Sequence, residues 1–228
     1  MIVIKNAKAR RALRMILPFA LIPAVVAVGI FAVRGNYHLV ISLAVAVLSL
    51  VLFLCGFEKK KIGNRRMVIV SVMIALSVLG RMFPVIKPVT VFAMLGGMFL
   101  GAEAGFLVGS FSALISDFWF GQGPWTPFQM LAWGLIGFFA GVLASPLKRS
   151  RLFLYIYGLL AAVTFSLIMD VWSAIWIGGV FSPEIYFSKV LTSVPHTLLY
   201  AVSNVIFLLL FAKPFSEKLE RIRVKYGI

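Results

Sequence analysis

Long apolar runs alternate with short polar clusters along this chain, and the runs have the length of bilayer-crossing helices. Such a crossing takes about 20 apolar residues, with a range of about 17–25. Eight runs meet or approach that length. They are Ala12 to Val33, Tyr37 to Phe57, Met67 to Phe83, Val89 to Leu100, Ala104 to Phe120, Pro127 to Leu147, Leu152 to Ile177 and Pro183 to Phe211. The pattern predicts an all-α integral membrane protein with about eight transmembrane helices. Pro18 and Pro23 are expected to bend the first helix, and Pro214 to separate the last from an amphipathic basic tail. Val89 to Leu100 is short for a full crossing. Gly96, Gly97, Gly101 and Gly105 near its end permit close packing or a tight reversal.

Composition agrees with the pattern. With 62% hydrophobic residues and a mean hydropathy of +1.05, the 228-residue chain lacks the polar surface a soluble domain needs. A net charge of +15 would suit a nucleic-acid partner, but the charges sit in short clusters between apolar runs. That placement encodes topology instead. Eighteen of the 22 Lys and Arg fall before the first run, between the second and third, between the sixth and seventh, or in the tail. Only Arg34, Arg81, Lys87 and Lys189 fall on the other side. Positive residues concentrate in cytoplasmic loops, so both termini are expected inside and the turn at Gly121 to Thr126 outside. The basic N-terminus followed by an apolar run is similar to a signal peptide. Its length, and the second run close behind, favour an uncleaved first helix.

The outside turn lies in residues 109 to 133, GSFSALISDFWFGQGPWTPFQMLAW, which hold one acid, two glutamines and three of the five tryptophans. Other runs carry polar groups toward the same end. Asp170 shares a face with Ser173, Trp176 and Ile177, with Trp172 on another side; His196, Tyr200 and Asn204 recur every four residues, as do Gln129, Trp133, Gly137 and Gly141. Each has a plain alternative. Tryptophans anchor at bilayer interfaces, Asp117 and Asp170 can pair with Arg81, Lys87 or Lys189, and the glycines can serve packing. Catalytic and metal signatures are absent: there is no GxxxxGK[ST], HExxH or GxSxG, and the metal-ligating types are limited to Cys55, His38, His196 and scattered acids. Neither an enzyme nor a metal centre is expected.

One string is specific. Lys87-Pro88 leads into the short glycine-rich segment, followed by Ala104-Gly105-Phe106-Leu107-Val108-Gly109, then Gly121-Gln122-Gly123-Pro124-Trp125-Thr126-Pro127 and Gln129-Met130-Leu131-Ala132-Trp133-Gly134. On these residues the span Met67 to Phe211 resembles the substrate-binding (S) components of energy-coupling factor (ECF) vitamin transporters, and is most similar to the cobalamin or corrinoid subgroup. The resemblance implies a six-helix core over residues 67–213, a two-helix extension over 1–66 and a cytoplasmic tail over 214–228. It also implies a plasma-membrane receptor that captures a vitamin outside. The receptor would reorient to deliver its cargo with a transmembrane coupling protein and two cytosolic ATPases. ATP would be used by those partners, so no resident cofactor is expected. The helix carrying Ser71 and Ala75 would dock on the coupling protein, though an AxxxA match lacks one alanine.

The expected pocket has Trp119, Gln122, Trp125, Gln129 and Trp133 on one wall, and Asp170, Trp176, His196, Tyr200 and Asn204 on the other. Lys87 and Asp117 complete the substrate-binding candidates. A solitary proton- or sodium-coupled transporter using Asp117 and Asp170 is the alternative, and a membrane assembly or scaffold protein is a third reading.

Overall fold

The structure, a computed structural model, describes residues 6–31, 38–56, 60–82 and 88–226. Lys87, Lys59 and Arg34 lie outside the described residues. The described residues are helical, without strands. The elements are α1 (Ala7–Ile16), a π-helical turn (Leu17–Leu21), α2 (Ile22–Phe31), α3 (His38–Cys55), α4 (Lys60–Arg81) and α5 (Val89–Leu100). They continue with α6 (Ala102–Phe120), α7 (Thr126–Val142), α8 (Ala144–Arg149), α9 (Arg151–Gly178) and α10 (Pro183–Tyr226). Four rods are long and apolar enough to cross a membrane by length and composition: Lys8–Gly29, α3, α9 and most of α10. α5 and α7 are shorter apolar helices.

Several boundaries differ from those expected, for identifiable reasons. Asn6 starts α1 by accepting the Lys8 and Ala9 N–H groups. Pro18, which lacks a donor, is then accommodated by the wider π turn. The basic segment expected as a loop is helical from Lys60 onward. There Arg66 donates to the Gly56 carbonyl at 3.0 Å and lies 3.6 Å from Glu103. α7 stops at Val142 rather than Leu147, because Pro146 offers no N–H to continue the ladder; α8 is a separate turn. α10 runs through Pro214 to Tyr226 instead of releasing a tail. A mid-helix proline costs about 3 kcal/mol. Beyond it, however, Phe215 packs edge-on to Phe92, Leu219 is buried, and Glu220 reaches Lys148 at 3.8 Å.

α5 is the central post. Twelve residues reach about 18 Å, and all twelve are buried between α4, α6, α7 and α10. A helix apolar on every side is stable only when enclosed in this way. Enclosure depends on glycine. A Cβ at Gly97 or Gly105 would strike the Gly137 carbonyl oxygen, one at Gly137 the Gly105 carbonyl, and one at Gly109 the Trp133 carbonyl. Backbones of α5, α6 and α7 therefore touch, and the glycines serve packing as their plainer reading held. Gly101 and Gly121, at φ +98° and +103°, bound α6 with turns that side chains rarely adopt.

The N-terminal helices pack on this block. Glu103, buried in the first turn of α6, forms ion pairs with Arg14 of α1 and Arg66 of α4, at the helix end where an acid is favoured. Phe19 meets Phe138 at 5.5 Å, and the Ser110 hydroxyl donates to Ser49 at 3.2 Å. Gly137→Ala, which sets a methyl against immovable backbone, should lower stability by about 1–3 kcal/mol. Gly158→Ala meets only the flexible Leu208 side chain and should cost clearly less. Thermal unfolding in detergent compares the two, and equal losses would contradict the seam.

Candidate functional site

Arg81 ends α4 with its side chain buried. A buried cation is tolerable only when its donors are engaged. Its Nη1 donates to Asp117 Oδ1 at 2.7 Å and Ser116 Oγ at 2.5 Å, and its Nη2 to Gln129 Oε1 at 3.1 Å. The guanidinium also lies 5.0 Å from the Trp133 ring and 5.4 Å from the Phe120 ring, where the π face favours a cation. The other carboxylate oxygen of Asp117 accepts from Thr126 Oγ1 at 2.7 Å. One charged node thus joins α4, α6, the Gly121 turn and α7. Gln122 folds that turn back by donating to the Leu114 carbonyl at 3.0 Å, leaving its own Oε1 buried and, among the described residues, without a partner.

Below the node an aromatic knot joins four helices. Trp133 stacks on Phe165 at 4.6 Å and donates its Nε1 to the Tyr200 hydroxyl at 2.6 Å. Tyr200 also bonds Thr90 of α5 and meets Phe165 edge-on at 5.2 Å. Trp133 and Tyr200, expected on opposite walls of a pocket, are in direct contact. Beside the turn, Trp125 packs on Trp172 at 5.8 Å, and Trp172 stacks on Trp176 at 6.2 Å. Trp172 was expected on a different side from Trp176, which was grouped with Asp170. At about 100° per residue, Trp176 lies about 40° from Trp172 and about 120° from Asp170, so the ladder is the correct grouping. The indole Nε1 of Trp172 is buried and, among the described residues, unpartnered.

Residues 61–220, well over half the chain, match the family profile described as ECF-type riboflavin transporter, S component. The chain belongs to that S-component family. Membership makes it a membrane transporter subunit that works with an ECF module on a vitamin substrate. The family named is the riboflavin type, and the corrinoid subgroup has no support in the match. No curated protein and no solved structure matches the chain.

Within this S component the remaining candidates separate. Asp117, Gln122, Trp125, Gln129 and Trp133 gather at the node and turn. Trp119 is 75% exposed on the perimeter, and Trp176 is 55% exposed at the end of the tryptophan ladder. Asp170 accepts from Ser193 at 2.7 Å and Asn204 donates to the Gly158 carbonyl at 3.0 Å, so both stitch α9 to α10. His196 is exposed, its ring 6.3 Å from that of Tyr200. Phe165, Thr90 and Thr126 were not anticipated. Thr126 stood within the specific string, whereas one phenylalanine among 21 gives no signal. The node predicts an asymmetry. Arg81→Met leaves Asp117 buried without its cation and should cost about 3–5 kcal/mol. Adding Asp117→Asn should restore much of that loss in the same thermal unfolding assay, and a double variant no better than the single would contradict the node.

Proposed function

We propose that the protein captures a flat heteroaromatic vitamin of the riboflavin class at the Gly121 end of the bundle and delivers it inward with its ECF partners. The observation that carries this is the Trp125–Trp172–Trp176 ladder, flanked by two unsatisfied buried groups. Aromatic faces suit a planar tricyclic ring. The free Trp172 N–H and Gln122 carbonyl offer one donor and one acceptor. They complement the alternating C=O and N–H edge of a flavin, and leaving such groups unmet penalises a wrong ligand. The family profile supports the same class. Asp117 weighs against ion-coupled transport, since Arg81 and Thr126 engage both of its oxygens.

The arrangement also supports about eight crossings with both termini inside. The ion pairs around Glu103 and the Lys148–Glu220 pair lie at the basic end, and the Arg81 node at the other. On α4, Ser71 and Ala75 lie on an exposed stripe with Val68, Val72 and Leu79, a surface of small and apolar groups suited to a coupling helix.

Purified protein should quench riboflavin fluorescence on binding, and riboflavin should raise the unfolding temperature in proportion to the logarithm of its concentration. Cobalamin should neither compete nor stabilise. Trp172→Phe, which keeps the ring and removes the donor, should weaken binding about tenfold. Stabilisation by cobalamin and not riboflavin would overturn the assignment. Ala75→Trp should abolish uptake in membranes containing the ECF module while leaving riboflavin binding intact; loss of both would contradict a docking role.

A further inference from the structure

At the basic end, remote from the Arg81 node, a cleft of about 580 Å³ opens between α5, α8, α9 and α10. Its floor is apolar, with Leu154, Leu208 and Leu209 contributing. Lys148, Arg151 and Lys213 stand on its rim. Lys148 is already engaged by Glu220 and the Phe99 ring. Arg151 and Lys213 are exposed and, among the described residues, have no acidic partner within ion-pair distance.

The start of α9 adds to this charge. Its first turn carries no acid and opens with Arg151, two residues after Arg149. A helix N-terminus already bears partial positive charge, so cations there are unfavourable unless an anion is near. Glu217, the other acid on the rim, does not balance two cations and a helix pole. α9 and α10 are both long enough to span a bilayer, and Leu209 in the cleft and Leu152 near it are exposed apolar residues. An apolar floor open to the lipid side beneath a cationic rim complements one kind of molecule. It needs an acyl chain and an anionic head.

We propose that this cleft holds one anionic phospholipid, its phosphate between Arg151 and Lys213 and the start of its acyl chain along Leu154 and Leu208. Basic recesses between membrane helices bind such headgroups through the same chemistry. The bound lipid would link α9 to the far end of α10, where Pro214 interrupts the helical hydrogen bonding.

Native mass spectrometry of the full chain with phosphatidylglycerol and phosphatidylcholine tests the proposal, with riboflavin binding as the control for folding. One phosphatidylglycerol should be retained per chain, and phosphatidylcholine should not. Arg151→Gln and Lys213→Gln should each weaken retention roughly fivefold, and together about 25-fold. Leu209→Trp should fill the floor and displace the lipid without loss of vitamin binding. Glu217→Gln should have the opposite sign and strengthen retention. Equal retention of both lipids, insensitivity to the double substitution, or displacement by glycerol phosphate alone would overturn the proposal. So would protection of the cleft by the ECF coupling protein in lipid-free detergent.

Discussion

A guanidinium cannot be left alone inside a helical bundle, and the Gly121 end of this protein is arranged around that constraint. Arg81 draws Asp117, Ser116 and Gln129 into one cluster beneath the Trp133 and Phe120 rings. Because the cation stands on α4 and its partners on α6 and α7, satisfying one side chain fixes how these three helices meet. The Gly121 turn is then held by Thr126 on Asp117 and by Gln122 on Leu114. The node need not add net stability, since the desolvation of buried ions is large. Its consequence is specificity: removing one member leaves the others exposed to the full cost.

The glycine seam supplies the second condition. Backbone contact among α5, α6 and α7 makes a stiff central block that holds the node's donors and acceptors in register. Against it, α9 and α10 attach through the Trp133–Phe165–Tyr200 knot, while polar stitches at Asp170, Ser166 and Asn204 join the two helices to each other. This division separates a fixed wall, bearing the turn, from a helical pair that carries Trp172 and Trp176. A ligand inserted along the ladder would contact both parts. That is the geometry expected of a receptor whose occupancy is felt by the whole bundle.

Much of this was legible in the sequence because membrane folding leaves a coarse signature. Apolar run lengths mark the helices, and close packing is one of the readings the glycines at 97, 105, 137 and 141 allow. The string from Gly121 to Gly134 identified the family, while the vitamin subgroup did not follow from it. Other features were hidden by the distances over which they act. Arg81 and Asp117 are 36 residues apart; Arg81 is one of three cations the sequence offers Asp117, and no local pattern chooses among them. Trp176 belongs with Trp172, four residues before it, and not on the face of Asp170, six before it. Pro214 predicts an end to the last helix, and the packing of Phe215 and Leu219 that offsets it is tertiary. Glu103 gave a usable sign, an isolated acid at the start of an apolar run, whose cost demands a partner.

The central claim is that the vitamin site lies where the turn meets the tryptophan ladder. Hydrogen–deuterium exchange of the purified S component, with and without saturating riboflavin, tests it most directly. The account predicts new protection of residues 121–126 and of the C-terminal end of α9 around Trp172, with the α5–α7 block slow to exchange in both states. Protection confined to the basic end of the bundle, with the Gly121 turn unchanged while riboflavin is bound, would contradict it.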